Sequence, residues 1–299
     1  MADIELRFHK DMLVLSSPLD AVLERQGVMP EDKEFIVLME PETIHDALRL
    51  EVIAGAQCLV THTEGVCESR LAHSRFEDRQ AEYAQNGLGV VRECKPQHTI
   101  CEIGPCGLPL DWTSEPSVKQ VRAQYADAVR AFGDEGTDAF LFLGINDVHD
   151  MRCALEGARE VTKRPLFACF DVDENGVLRG RSVAFEEAVA ELGDLADVYG
   201  FSSGSDPDTL CAIVQRAVQV TDAPLMVQIE VKRATEPERR RAALGGPIPG
   251  NPYPTADGLV DAASRLRGAG VQFLRAAGEA TPAYTGALVV ASAGFDCVR

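Results

Sequence analysis

The chain has 299 residues, 45% of them hydrophobic and 25% charged, which is typical of a globular protein with a sizeable core. Asp and Glu outnumber Lys and Arg by 47 to 29, giving a formal net charge of −18. Such an acidic surface repels phosphate groups, so binding to nucleic acid or to an anionic membrane is not expected. The longest apolar runs are strand-sized, well below the ~20 residues of a membrane span. The N-terminus lacks an export pattern, so we predict a cytoplasmic protein with reduced cysteines.

Apolar segments of strand length alternate with segments of helical periodicity along the whole chain. The eight strand candidates lie near residues 12, 57, 99, 138, 165, 197, 224 and 271. Alternation with helices indicates parallel strands. The pattern therefore predicts an α/β fold, a single (β/α)8 TIM barrel over residues 1–299, with any active site at the carboxyl ends of the strands.

Polar residues follow the second predicted strand, where Thr61, His62, Thr63 and Glu64 come directly after an apolar run. Strand alternation places His62 and Glu64 on the same face as the inward-facing apolar residues before them. We therefore expect this pair to project into the mouth of the barrel. A hydrogen-bonded His–Glu pair with a purely structural role is the alternative.

The third predicted strand contains Cys101 and Glu102 and ends in the turn Gly104-Pro105, followed by Cys106. Two cysteines at a barrel rim pack more often than they bind metal, because a zinc site usually needs three protein ligands. A similar argument applies to residues 173–176, which weakly resemble a calcium loop. They lack the full ligand spacing and are interpreted as a turn.

Further polar groups stand at the ends of the later strands: Ser16 and Ser17 on the first, Asp171 on the fifth, Ser203 on the sixth, Glu230 on the seventh and Arg275 on the eighth. A long Arg-, Gly- and Pro-rich connection, roughly residues 233–258, follows the seventh strand. Connections of this length are usually lids or disordered segments. In a barrel this one would cover the carboxyl face.

These strand ends resemble those of the homocysteine S-methyltransferase family. Its Thr-Asn-Thr-Phe-Gly segment matches at Thr61, Thr63 and Gly65, and its Gly-Pro turn matches Gly104-Pro105. Its last strand, Gly-Gly-Cys-Cys-Gly-x-x-Pro, is similar to the segment from Arg275 to Pro282. The resemblance spans nearly the whole chain and implies a homocysteine-binding barrel. In that family three cysteines hold a zinc ion, which activates a thiol toward a sulfonium, betaine or corrinoid methyl donor.

The departures from the family pattern fall on the residues that carry this chemistry. Ser203, Ala276 and Ala277 occupy the three cysteine positions, and Glu102 replaces a serine. Leu143 stands where the family has a Glu that contacts the substrate, unless the register shifts so that Asn146 or Asp147 takes that position. Alanine and serine cannot form a three-sulfur zinc site, so the resemblance implies a scaffold that is kept and a metal site that is rebuilt or lost.

The sequence therefore predicts a methyltransferase with an altered site, moving a methyl group between a small methylated donor and a thiol or corrinoid acceptor. A corrinoid would come with a partner protein. The predicted catalytic residues are His62, Glu64 and Glu102, of which His62 and Glu102 are also candidate zinc ligands. The predicted substrate-binding residues are Ser16, Asp171, Ser203, Glu230 and Arg275.

Arg275 has two interpretations, which depend on where its side chain points. If it points inward it could clamp a substrate carboxylate; otherwise it forms a salt bridge at the rim. Two functional alternatives also remain at this stage. One is a non-catalytic barrel that binds a small molecule or regulates a partner, and the other is a different barrel reaction.

Overall fold

A closed barrel of eight parallel strands forms the centre of the protein, in a computed structural model that describes residues 3–245 and 250–293. Each strand pairs with the next along the chain, and the last pairs with the first. The strands are β1 (Leu13–Leu15), β2 (Cys58–Val60), β3 (His98–Ile103), β4 (Ala139–Leu143), β5 (Leu166–Asp171), β6 (Val198–Ser203), β7 (Leu225–Val231) and β8 (Val271–Gly278). The predicted (β/α)8 barrel is confirmed.

Helices surround the barrel and cover the apolar outer faces of the strands. They are α1 (Asp20–Arg25), α2 (Lys33–Met39), α3 (Pro41–Ala54), α4 (Glu68–Leu71), α5 (Gln80–Glu93), α6 (Glu115–Phe132), α7 (Val148–Arg159), α8 (Phe185–Leu192), α9 (Pro207–Ala217), α10 (Glu236–Ala243), α11 (Gly258–Gly268) and α12 (Pro282–Ser292). No helix among the described residues is long and apolar enough to cross a membrane.

The periodicity of residues 68–90 predicts one amphipathic helix, but the structure interrupts it. Arg75 adopts a left-handed conformation with φ of 62°, and the chain turns there before α5 begins. The long connection after β7 contains α10; its residues 246–249 lie outside the described residues, and its role as a lid stays a prediction.

The amino-terminal end of the barrel is closed by apolar packing. A 3-10 turn at Ile4–Arg7 leads to Phe8, whose ring lies 5.9 Å from the ring of Phe273 and 6.4 Å from that of Phe167. Both rings belong to the buried cluster inside the barrel. Burying one such side chain contributes about 1.5–3 kcal/mol. These rings fill the interior of the barrel at its amino-terminal end.

The turn after β3 explains one feature of the sequence, the glycine at position 104. The backbone N–H of Gly104 donates to the carbonyl of Glu64 at 2.9 Å. A Cβ atom at residue 104 would lie only 2.8 Å from that carbonyl oxygen. Glycine is therefore required for the loop that carries Glu64 to approach the end of β3.

Candidate active site at the barrel mouth

A buried ion pair between Arg275 and Glu102 lies at the mouth of the barrel. Arg275 is 2% exposed, and its Nη2 donates to Oε2 of Glu102 at 3.0 Å. Its Nε donates to the carbonyl oxygen of Ser16 at 2.9 Å, and its Nη1 donates to Oε1 of Gln228 at 3.1 Å. The guanidinium thus points inward and joins β8 to β3, β7 and the end of β1. Its three nitrogens all have protein partners.

Glu102 is held in place by its neighbours on β2 as well as by Arg275. The hydroxyl of Thr61 accepts from the backbone N–H of Glu102 at 2.9 Å, and that of Thr63 donates to its carbonyl at 2.8 Å. Burial raises the pKa of the Glu102 carboxyl to about 7, with the positive charge of Arg275 opposing this rise and the negative charge of Glu64 adding to it. A carboxyl group with such a pKa exchanges protons near neutral pH, as a general base must.

His62 and Glu64 border the same small recess as this ion pair. The recess has a volume of about 10 Å³, the space of about one water molecule. It is lined by Ser17, Pro18, Leu19, Asp20, Val60, Thr61, His62, Glu64, Glu102 and Arg275. The structure thus brings His62, Glu64, Glu102 and Arg275 around one small opening, which Ser203 and Ala276 do not line. Their catalytic roles stay predictions.

The surroundings of His62 favour the neutral form of its imidazole. Burial lowers the pKa of His62, and the nearby Asp20 carboxylate opposes that effect. Its Nε2 atom is buried and has no hydrogen-bond partner among the described residues. A buried nitrogen without a partner carries a desolvation cost, which a substrate or water in the recess could relieve.

Two charged residues beside the recess were missed by sequence analysis. Lys33, the first residue of α2, forms an ion pair with Asp20, the first residue of α1. The pKa of Lys33 is raised despite burial, by its hydrogen bond to Asp20 and by the charges of Asp20, Glu64 and Glu102. The sequence signal was the apolar run that follows Lys33, which marks the helix that brings it to the mouth.

A second buried carboxyl group, Glu51, lies behind the recess. Its side chain is fully buried in α3, and Oε2 accepts from the backbone N–H of Ser17 at 3.1 Å and from the hydroxyl of Thr285 at 2.6 Å. The Ser17 hydroxyl lies 2.8 Å from that of Thr285. Since Thr285 gives its only hydroxyl proton to Glu51, Ser17 must be the donor to Thr285. These contacts tie the loop after β1 to α3 and α12.

A second and much larger opening lies on the other side of the mouth, at the ends of β5, β6 and β7. We call it the outer cleft; its volume of about 790 Å³ suits a small-molecule ligand. It is lined by Val172, Asp173, Glu174, Arg179, Ser203, Gly204, Ser205, Asp206, Glu230, Lys232, Gly250 and Pro252. Glu230 accepts from Nη2 of Arg179 at 2.6 Å and from the Ser202 hydroxyl at 2.9 Å.

The predicted substrate-binding residues are thus divided by the fold. Arg275 borders the recess, whereas Ser203 and Glu230 border the outer cleft. Asp171 and Ser16 line neither opening. Asp171 exchanges two hydrogen bonds with Asn146, at 2.9 and 2.7 Å, and the Ser16 hydroxyl accepts from the backbone N–H of Val60 at 2.9 Å. These contacts hold the strand ends together.

The residues at the family's metal positions do not fit a zinc ion. Ser203 lies in the outer cleft, Ala276 is buried in the core between barrel and helices, and neither Ala276 nor Ala277 offers a ligand atom. Nowhere in residues 3–245 and 250–293 do three His, Cys, Asp or Glu side chains group so that they could hold a metal ion. His62 and Glu102 therefore lack the third ligand that protein zinc sites require.

Gln228 connects the ion pair to the interior of the barrel. Its Oε1 accepts from Arg275, and its Nε2 donates to the sulfur of Cys169 at 3.1 Å. Glu230, which borders the outer cleft, stands two residues further along the same strand. Strand β7 thus contacts the ion pair of the recess through Gln228 and lines the outer cleft with Glu230. Cys101 and Cys106 are fully buried free thiols within the core, in agreement with the packing interpretation.

Comparison with known proteins finds the same family. The family model described as homocysteine S-methyltransferase matches residues 13–245. A methionine synthase from Mycobacterium tuberculosis is 28% identical over 181 residues, which cover 56% of this chain and 15% of that protein. The chain thus corresponds to a small part of that curated relative.

Solved structures share the fold at low sequence identity. The homocysteine methyltransferase MmuM from Escherichia coli superimposes with a TM-score of 0.74 in its oxidized form, at 17% identity, with 94% of this chain and 96% of that chain covered. Its metallated form gives 0.73 with the same identity and coverage. The carboxyl transferase domain of Rhizobium etli pyruvate carboxylase gives 0.51 at 13% identity, covering 92% of this chain and 41% of that chain.

The match of the family model covers well over half of the chain, from β1 to the end of α10. Membership supports methyl transfer as the general type of chemistry. The chain belongs to the homocysteine S-methyltransferase family.

Proposed function

We propose that this protein is a methyltransferase that works without the family's zinc, moving a methyl group from a small methylated donor to a thiol or corrinoid acceptor. One observation carries the proposal: at the mouth of the family's barrel, a buried carboxyl group, Glu102, has its pKa raised to about 7. The family uses zinc to obtain a thiolate, because a free thiol near neutral pH is mostly protonated. A well-placed base provides another way to obtain one.

In this mechanism the acceptor thiol gives its proton to the ionised carboxylate of Glu102. The resulting thiolate attacks the methyl carbon of the donor, so that a carbon–sulfur bond forms while the bond from methyl to donor breaks. The electron pair of the broken bond stays on the donor heteroatom. His62 is the second candidate proton acceptor in the same recess, since its neutral form is favoured and its Nε2 has no partner in the part of the chain that the structure describes.

The outer cleft is proposed to hold the body of the donor. Four carboxylates line it, from Asp173, Glu174, Asp206 and Glu230, against two cations, from Arg179 and Lys232. This balance favours a ligand with positive charge over an anionic one. Methyl donors of the sulfonium or quaternary ammonium type carry such a charge. A methylated corrinoid would instead be presented by a partner protein.

The test is methyl transfer by the purified chain after treatment with a chelator. Homocysteine is offered as the thiol, with a methylsulfonium compound, betaine or a methylated corrinoid as the donor, and the methylated product is quantified. We expect turnover that survives chelation, and a kcat lowered ~10²–10⁴-fold by Glu102→Gln, as for loss of a general base. Glu77→Gln, at an exposed surface position, is the matched control.

Two results would contradict the proposal: no transfer from any of these donors, or equal turnover by wild type and Glu102→Gln. A corrinoid acceptor has no thiol proton to lose. If the chain methylates a corrinoid protein and Glu102→Gln retains that activity, the acceptor is the corrinoid and the role of Glu102 as a base is wrong.

One observation favours a second candidate function, a non-catalytic barrel that binds a small molecule or regulates a partner. Every nitrogen of the Arg275 guanidinium is already bound by the protein, and the recess has room for about one water molecule. Saturable binding of homocysteine or of one of these methyl donors, measured by calorimetry and without any methylated product, would support this candidate over the first.

A further inference from the structure

The two charged residues of the buried ion pair are both departures from the family pattern. Glu102 stands where the family has a serine, and Arg275 stands directly before the two former cysteine positions, where the family motif has glycine. In the barrel they come from strands that are not neighbours, β3 and β8. Their side chains nevertheless meet at 3.0 Å. Because Glu102 and Arg275 contact each other across the barrel, the simplest explanation is that the two family residues were replaced together.

Stability does not explain why this pair is present. A buried ion pair is often no more stabilising than apolar residues of similar volume, because both charges lose their hydration. Arg275 and Glu102 are only 2% and 8% exposed, so that cost applies here. The guanidinium is also fixed at three nitrogens, by Ser16, Gln228 and Glu102. Such fixation is expected of a charge whose position matters.

The position of the guanidinium relates it to the lost metal. The side chain leaves β8 at the residue before Ala276 and Ala277, and strand pairing sets Ala277 beside Glu230 at the edge of the outer cleft. A fixed positive charge next to a metal site repels a divalent cation through the poorly screening protein interior. It also engages Glu102, a carboxylate that could otherwise serve as a ligand.

We infer that the Arg275–Glu102 pair replaced the family's metal as one unit: the guanidinium is the fixed positive charge of the mouth, and the pair prevents a metal ion from binding there. This goes beyond the proposed function, which requires only that Glu102 accept a proton. Either can fail alone, because the following test measures zinc affinity and not methyl transfer.

The experiment restores the family's ligands in the full chain, by Ser203→Cys, Ala276→Cys and Ala277→Cys, with or without Arg275→Gln. Zinc affinity is measured by competition with a chromophoric chelator. We expect the four-fold variant to bind zinc at least ~10-fold more tightly than the three-cysteine variant, because a fixed cation is removed while the carboxyl group of Glu102 stays. The control adds Arg130→Gln instead, which removes the cation of an ion pair at the surface.

Equal zinc affinities with and without the ion pair would overturn the inference, and so would failure of both cysteine variants to bind zinc. An increase with the surface control of the same size as with the buried pair would also count against it. Because three new thiols could disturb packing around the buried Ala276, folding is first verified by circular dichroism. A second series restores only Ser203→Cys and Ala277→Cys and leaves Ala276 unchanged, with Glu230, which pairs with Ala277 and borders the same cleft as Ser203, as the third ligand. It is expected to show the same order of affinities.

Discussion

The two sides of the barrel mouth use the same kind of ion pair in opposite surroundings. In the recess, Arg275 contacts Glu102 at 3.0 Å with the arginine side chain 2% exposed. In the outer cleft, Arg179 contacts Glu230 at 2.6 Å with the arginine side chain 47% exposed. The closer contact is the one in water. Burial, rather than distance, therefore separates the two pairs: one lies in a closed recess and the other borders a cleft with room for a ligand.

This difference suggests a division of labour within one mouth. In the recess, removal from water raises the pKa of Glu102 to about 7. The outer cleft, with a volume of about 790 Å³, offers space and exposed charges. Active sites commonly combine a desolvated reacting centre with a wider binding region. Replacing Arg275 and Arg179 in turn tests whether burial separates the two ion pairs.

The largest expected effect is that of Arg275→Met at pH 8. Methionine keeps much of the volume but leaves the Glu102 carboxylate buried without its counter-ion, together with the acceptors of Gln228 and Ser16. We expect the free energy of unfolding to fall by ~3–5 kcal/mol, the usual result of breaking a buried pair from one side. Urea unfolding followed by circular dichroism measures it.

The loss should shrink at pH 5, because Glu102 is then protonated and no longer needs the cation. Arg130→Met is the control: its partner is Asp127, the arginine is 59% exposed, and a change within ~1 kcal/mol is expected at both pH values. If Arg275→Met lowers the free energy of unfolding by less than ~1 kcal/mol, or by the same amount at pH 5 and 8, the charge of Arg275 does not stabilise the buried Glu102 carboxylate.

A change of pH is expected to have a smaller effect on the free energy of unfolding, through the ionisation of Glu102. The pKa of this carboxyl is raised from 4.5 in the unfolded chain to about 7 in the native state. Between these values the native state holds a proton that the unfolded state has lost, so stability decreases as pH rises and is constant above about pH 7. The contribution is on the order of 3 kcal/mol.

The measurement is the unfolding free energy of wild type minus that of Glu102→Gln, across that pH range. Glutamine cannot titrate, so the difference isolates Glu102. Other raised carboxyl groups, such as Glu51 and Asp150, remain in both proteins and cancel. A difference that stays level with pH, or that increases with pH, would mean that the native pKa of Glu102 is not raised.

A closed parallel barrel brings all the carboxyl ends of its strands to one face, so sequence reasoning could place His62, Glu64, Glu102 and Arg275 at one mouth. His62 and Glu64 follow β2, which ends at Val60, so strand alternation does not fix the direction of their side chains. Nothing in the pattern indicated that Arg275 and Glu102 contact each other, since β1 and β2 separate their strands and only the reach of the arginine side chain joins them.

The residues that were missed come from helices, where the same geometry gives no guide. Lys33 reaches the mouth because α2 packs against its neighbours, and Glu51 because α3 lies against α12 and the loop after β1. Contacts between helices depend on tertiary packing of side chains, which periodicity alone does not encode. The division of the mouth into a recess and a cleft was likewise beyond prediction, because it follows from the volumes of the side chains that fill each side.

The smallest expected effect, and the sharpest contrast with Arg275, is that of Arg179→Met in the outer cleft. Its partner Glu230 stays accessible to water and keeps the hydrogen bond from Ser202, so no buried charge is left unpaired. We expect the unfolding free energy to change by ~0–1 kcal/mol, independently of pH between 5 and 8. Urea unfolding in the same series as Arg275→Met tests this. If Arg179→Met costs as much as Arg275→Met, exposure does not separate the two pairs, and the division between a buried reacting centre and an open binding region fails with it.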